Sequence, residues 1–216
     1  MTQPWPPKYP PHAYRGFRPR LPDWLIGLPT AADQSRAVRL LGLRHGDCSL
    51  DPACGSGFNL RRLALAVGPS GIVFAVEDNP GLLQAAAAKV ERAGWKNVHL
   101  LDSLRRELVT RQPVDGMIVS YNPPIVLQRR DLLEEAWSLL KPRGRIALVA
   151  GRCTTPTGRL AGPLVRAGLW LFGHAADWHY WTVHEPWQSL QELAGGNLEV
   201  ETRLGFQYLL WAEKPD

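Results

Sequence analysis

The sequence predicts an α/β fold in which a mostly parallel sheet of about seven strands is covered by helices and closed by an antiparallel hairpin at the carboxyl end. Three observations predict it. Short β-like runs alternate with helical stretches through the middle of the chain, a glycine-rich turn follows the first run, and the last two runs lie almost end to end. Runs spaced this way need crossover helices, and crossovers of that kind join parallel strands.

Taken in order, residues 1–29 form a proline-rich arm. The first 22 residues hold seven prolines with Lys8, Arg15, Arg18 and Arg20, a composition that keeps the chain out of regular helix and sheet. It reads as a disordered tail or, equally, as a lid, because Trp5, Tyr9, Tyr14 and Phe17 can pack over a pocket. Residues 30–216 form the domain proper. Thr30 is placed to cap a helix over Ala31 to Leu43, with Ala37, Leu40 and Leu41 on one face before Gly46. Strands are predicted at Cys48–Pro52, Ile72–Glu77, Val98–Leu101, Asp115–Ser120 and Arg145–Ala150. Helices are predicted between them at Asn59–Val67, Gly81–Ala93, Ser103–Arg111 and Asp131–Leu140. Leu198–Arg203 and Phe206–Glu213 flank little more than Gly205 and form the closing hairpin.

Composition narrows the function classes. A chain of 216 residues, 45% hydrophobic and 21% charged, has the size and balance of one ordinary globular domain. No apolar run reaches the roughly 20 residues of a membrane-spanning helix, and the first residues lack a signal-peptide core. A cytoplasmic location is expected. Cys48, Cys54 and Cys153 have no metal-ligand spacing and cannot all pair, so neither a metal site nor a disulfide framework is expected. The net charge of +5 favours an anionic partner.

The strongest local signal is Leu50-Asp51-Pro52-Ala53-Cys54-Gly55-Ser56-Gly57-Phe58-Asn59-Leu60. An apolar strand ends in an acid, and a turn of small residues opens a helix. Gly55 and Gly57 let the backbone come close to a ligand, and the helix start offers N–H groups to an anionic one. Glu77 ends the second strand, 26 residues after Asp51, where a carboxylate can accept from both ribose hydroxyls of a nucleoside. Asp102 ends the third strand, and with Ser103 it can hold an adenine edge. Ala53, Asn59 and Asp78 complete the expected cofactor-binding set. Acids after strands are also ordinary helix caps, but three at strand carboxyl ends in one open sheet point to a ligand.

Residues 47–103 resemble the cofactor-binding half of class I S-adenosylmethionine (SAM)-dependent methyltransferases. Asp51, Gly55 and Gly57 match the first motif, with Ala53 in place of its first glycine. Glu77 matches the ribose acid, and Asp102 with Ser103 the adenine-side motif. Leu140-Lys141-Pro142-Arg143-Gly144-Arg145 resembles the turn before the fifth strand, with Arg143 where glycine is usual. The resemblance implies a Rossmann-like methyltransferase fold, SAM as cofactor and S-adenosylhomocysteine as product. Cys54 to Leu60, Gly94 to Val98, Glu185 to Leu190 and Leu204 to Leu210 are further similar to bacterial phospholipid N-methyltransferases and methyltransferases of quinone biosynthesis. That likeness implies an amine or lipid-like acceptor at a membrane surface.

The acceptor side is read from less distinctive residues. Ser120-Tyr121-Asn122-Pro123-Pro124 resembles the Asn-Pro-Pro with which some methyltransferases hold a planar amino group, although Ile125 replaces the aromatic and Tyr121 is inserted. Asn122 and Tyr121 are candidates to orient the acceptor. Residues 152–185 are expected to form a substrate-binding cap, with Trp170, Phe172, Trp178, Tyr180 and Trp181 as core or pocket wall. His179 or His184 is the candidate base. The expected activity is methyl transfer to an amine nitrogen of a small or lipid-like molecule, with peripheral membrane contact through Arg159–Phe172. A nucleic-acid base is the less favoured acceptor, and a non-catalytic SAM-binding module is a third reading.

Overall fold

The computed structural model describes residues 31–77, 80–102, 113–120, 130–151, 159–160, 162–164, 166–167, 187–203 and 207–216. The chain crosses one sheet seven times, as β1 (Cys48–Asp51), β2 (Ile72–Val76), β3 (Val98–Leu101), β4 (Val114–Ser120), β5 (Leu140–Gly151), β6 (Leu198–Arg203) and β7 (Gln207–Glu213). Their order across the sheet is β3-β2-β1-β4-β5-β7-β6. The pairs from β3 through β5 are parallel, and β7 enters antiparallel between β5 and β6. The predicted hairpin is therefore present, with Leu198 opposite Ala212 and Arg203 opposite Gln207.

From β1 the chain works outward through β2 and β3, then returns to lay β4 against the other side of β1. The winding direction reverses between β1 and β4. In open α/β sheets such a reversal leaves a crevice beyond the strand carboxyl ends, and ligands bind there.

Helices cover both faces: α1 (Ala31–Leu40), α2 (Leu60–Val67), α3 (Pro80–Ala93), α4 (Arg130–Leu139) and α5 (Gln188–Leu193). Successive strand residues point to opposite faces, and here both faces are buried. Val73, Ala75 and Ile118 join Ala37, Leu60, Leu63 and Ala86 in one core layer. Phe74, Val76, Met117 and Val119 join Leu133, Trp137 and Leu190 in the other. Burial on both sides explains why β2 and β4 read as nearly unbroken apolar runs rather than alternating ones.

Two boundaries differ from the sequence prediction by more than one residue. Helix α1 stops at Leu40 rather than Leu43 because Gly42, at φ 64°, turns the chain, with its N–H bonded to the Arg39 carbonyl at 3.1 Å. Strand β5 starts at Leu140 rather than Arg145. The predicted turn is absorbed as an irregularity in its pairing with β4 between Val114 and Gly116. Reciprocal bonds Arg143 N–H to Lys214 O and Lys214 N–H to Gly144 O, each 2.9 Å, hold that stretch against the chain after β7. Thr30, the arm at 1–29, the helix predicted at Ser103–Arg111 and most of 152–185 lie outside the described residues. Within 152–185, residues 159–160, 162–164 and 166–167 are helical.

Candidate functional site

Strand β1 delivers Asp51 to the crevice with its side chain fully buried. One carboxylate oxygen, Oδ1, accepts the Ala53 N–H at 3.4 Å. The other, Oδ2, is buried without a partner among the described residues. Burial pushes this carboxyl up to about 7, against the opposing pull of the Ala53 N–H. The Asn59 amide, which also donates to Ser120, pulls the same way by hydrogen bonding. A buried acid with an idle oxygen is costly to fold, and such groups concentrate at functional sites.

The turn after Asp51 is tied to β2. The Cys54 N–H bonds the Val76 carbonyl at 2.9 Å, and the Gly55 N–H donates to Glu77 Oε2 at 2.9 Å. Glu77 thus holds the turn from the end of the neighbouring strand. Its own N–H bonds the Leu101 carbonyl at 3.0 Å, which sets it beside Asp102, exposed at the end of β3. Asp51, Glu77 and Asp102 stand at or just past the carboxyl ends of three adjacent strands, β1, β2 and β3, along one edge of the sheet.

The two glycines of the turn differ. Gly55, at φ 57°, has no atom within 4 Å of where a β-carbon would stand, so open space faces it. At Gly57, φ 83°, a β-carbon would meet Leu60 Cδ1 at 2.7 Å and Ala86 Cβ at 3.3 Å. The room on the Cβ side of Gly57 is filled by α2 and α3. On the Cβ side the two glycines thus differ, open at Gly55 and packed at Gly57.

Asn59 precedes α2 almost fully buried. Its Nδ2 donates to Ser120 Oγ at 2.9 Å, while Oδ1 is buried with no donor among the described residues. Ser120, at the end of β4, was not singled out from sequence; its only signal is its place at the carboxyl end of a central strand. Cys54 is buried within the turn, and burial raises its thiol well above the usual range, so it stays a neutral packing group. Ala53 is half-buried. Asp78, Ser103, Tyr121, Asn122, His179 and His184 lie outside the described residues. No cluster of His, Cys, Asp and Glu among the described residues could hold a metal.

Residues 50–144 match the family described as a methyltransferase domain. The fold around this stretch is that of the class I methyltransferases. Its sheet order, switch point and antiparallel β7 are those of the Rossmann-like methyltransferase fold. The domain is 33% identical over 113 residues to a protein-L-isoaspartate O-methyltransferase of Methanothrix thermoacetophila, covering 52% of this chain and 51% of that one. Over 136 residues it is 27% identical to a 2-phytyl-1,4-naphtoquinone methyltransferase of Trichormus variabilis, covering 60% and 58%. A SAM-dependent O-methyltransferase structure from Thermotoga maritima superposes with a TM-score of 0.58 at 21% identity, over 90% of this chain and 71% of that one. The chain spans about half the length of the first curated relatives it matches.

The cofactor that the matched family and the fold imply is SAM. The residues fit it. SAM carries ammonium and sulfonium charge, ribose hydroxyls and an adenine. The crevice offers an idle buried oxygen on Asp51, the Glu77 carboxylate, an open approach at Gly55 and Asp102 at the outer strand.

Proposed function

We propose that this chain transfers a methyl group from SAM to an amine nitrogen of a small or lipid-like molecule. The observation that carries the transfer reading is the idle, buried Asp51 carboxylate beside Gly55 and Glu77 at the switch point. In this reading Asp51, Ala53, Gly55, Asn59, Glu77 and Asp78 hold the sulfonium and ribose end. Asp102 and Ser103 hold the adenine. Bound SAM supplies a methyl made electrophilic by its sulfonium, so the protein's task is to align the acceptor. Asn122 and Tyr121, directly after β4, orient the acceptor nitrogen. An amine protonated in water must lose a proton before its lone pair can attack, and His179 or His184 takes it.

A lipid-like acceptor is supported by Leu160 and Leu164, 82% and 79% exposed and one helical turn apart, with Arg159 and Arg166 exposed beside them. They follow β5, whose carboxyl end lies on the same edge of the sheet as that of β1. Apolar side chains flanked by arginines suit an anionic membrane surface. No helix among the described residues is long and apolar enough to cross a membrane, and a cytoplasmic protein touching the membrane peripherally fits that. The second reading, a nucleic-acid base as acceptor, is favoured by Asn122-Pro123-Pro124 and the charge of +5.

Methyl-labelled SAM incubated with the protein and a cell extract tests this. Label in the organic phase, raised by phosphatidylethanolamine vesicles, is the expected result. Label in nucleic acid would replace it with the second reading, and no label in any fraction would leave a SAM-binding module without turnover. Glu77→Ala is expected to weaken SAM binding by roughly 1–3 kcal/mol in calorimetry, the scale of a lost buried hydrogen-bonding group.

A further inference from the structure

We infer that Gln34 and Gln207 are acceptor-binding residues, whose amide oxygens take the N–H groups of the acceptor's amine and so set the choice of acceptor. This rests on the methyl-transfer reading above. Both residues belong to one core layer. Ala37, Val38 and Leu41 enter it from the α1 side, and Gln34 stands three, four and seven residues before them, on the same stripe of the helix. Leu209 belongs to that layer and Trp211 packs against it. Gln207, two and four residues earlier, shares their face of β7.

Both amides also stand toward the carboxyl ends of the parallel strands. Gln207 opens β7 opposite Gly151, the last residue of β5. Helix α1 runs against the direction of β5. Its Leu40 carbonyl accepts from Arg145 Nη1 at 3.3 Å, in the first half of the strand. One turn earlier in the helix, Arg36 Nε donates to Glu201 at 2.9 Å, and Glu201 lies opposite Leu209, which faces Val149. Gln34 is further on in the same direction, and helical side chains lean that way. Strands β5 and β7 lie beyond β4, on the other side of β1 from β2 and β3. The amides therefore stand apart from the acids that hold the cofactor in the reading above.

Gln34 is 0% exposed, and neither end of its amide has a partner among the described residues. Gln207 is 8% exposed, and its Oε1 lacks a donor among them. Buried amide groups without partners cost stability, and methionine would fill either position without that cost. A ligand that completes both amides accounts for them. The three idle atoms specify its chemistry. Two are carbonyl oxygens, which need N–H or O–H donors, and the third is an –NH2, which needs an acceptor. A primary amine brings several N–H groups on one nitrogen, and an oxygen on a nearby carbon accepts from Gln34 Nε2. An amino-alcohol headgroup offers both. Methyls in place of those N–H groups leave the amide oxygens unpaired again.

The test uses methyl-labelled SAM with vesicles of phosphatidylethanolamine or of its N,N-dimethyl form, beside calorimetry with S-adenosylhomocysteine and thermal melts. The parent is expected to favour the primary amine by about tenfold or more in kcat/KM, as a site built to hydrogen-bond its substrate does. Gln34→Met and Gln207→Met should each cut that preference to about threefold or less, chiefly through KM for the primary amine. Each should bind S-adenosylhomocysteine within about threefold of the parent and melt no lower than it. The two variants report independently, so one that does not fold leaves the other to decide. A lower melting temperature with the preference intact would make the amides packing groups and overturn the inference. Affinity for S-adenosylhomocysteine lost by more than about tenfold would put them in the cofactor site and overturn it too. A parent that methylates both lipids equally well would overturn the inference and leave the transfer reading standing. A parent that labels neither lipid would overturn the lipid-amine reading first, before any variant is made.

Discussion

Two aspartates on neighbouring strands face opposite ends of the same sheet, and their surroundings differ in kind. Asp115, at the amino end of β4, accepts from Lys141 Nζ at 2.8 and 2.7 Å through its two oxygens and from the Cys48 N–H at 2.8 Å. Asp51, at the carboxyl end of β1, has only a long contact from the Ala53 N–H and one oxygen with no partner among the described residues. The amino end is finished within the protein. At the carboxyl end a buried oxygen has no partner among the described residues. The same fold thus separates charges that hold it together from charges held in readiness.

The largest expected effect comes from Asp51. Its folded-state value, about 7, lies above the ordinary 3.8, so the folded state holds the proton more tightly than the unfolded one. The stability this contributes is whole below about pH 4 and is lost as pH rises through 7, on the order of 4 kcal/mol in all. Denaturant unfolding of the ligand-free protein from pH 4 to 8 should show that decline, and Asp51→Asn should flatten it. Saturating SAM should also flatten it, since a cationic ligand favours the ionised carboxylate. Its affinity should accordingly rise with pH up to about 7. A ligand-free stability curve unchanged by Asp51→Asn would remove the contrast between the two ends.

Next are the two glycines within the carboxyl-end turn. Gly57→Ala puts a β-carbon against Leu60 and Ala86 at a positive φ, and should cost about 3 kcal/mol by overpacking and strain together. Gly55→Ala meets open space and should cost only about 1 kcal/mol of stability, with a larger loss of SAM affinity. Thermal melts set beside calorimetry separate the two. If Gly57→Ala stays stable and loses binding, the roles are reversed.

At the amino end, Asp115→Ala leaves the Cys48 N–H without its acceptor and Lys141 without its carboxylate. A loss of about 1–2 kcal/mol is expected, moderated by the partial exposure of both side chains, with SAM affinity unchanged. An affinity that fell with Asp115→Ala would mean the two ends are not independent.

The placement of the three acids was legible in the sequence because its signals are local. An acid at each strand end and a turn of small residues are carried by spacing alone, and Asp51, Glu77 and Asp102 do stand together along one edge. What spacing could not say is which side of a glycine is occupied. Gly55 and Gly57 look alike in sequence, and only the packing of α2 and α3 distinguishes them. The bond of Ser120 to Asn59 carried no pattern, since the two are 61 residues apart. Tyr121, Asn122, His179 and His184 depend on long-range placement in the same way, because side chains on loops are aimed by the scaffold beneath them.

The smallest effect expected is a gain, and it lies at the amino end. Arg143 stands where the family's turn usually has glycine, and it adopts φ 61°, in the left-handed region that crowds a β-carbon against the backbone. Its backbone N–H bonds the Lys214 carbonyl at 2.9 Å, so the position is held from the chain after β7. Its side chain is mostly exposed, with its guanidinium 3.9 Å from Glu213, which Arg145 already engages at 2.8 Å. Little is lost with the side chain. Arg143→Gly relieves the strain but adds freedom to the unfolded chain, leaving a net stabilisation of about 0.5–1 kcal/mol. A small rise in melting temperature with SAM affinity unchanged would place Arg143 with Asp115 among the residues that only hold the fold. A fall in melting temperature would mean that the arginine's pairing with Glu213 outweighs the strain of its backbone.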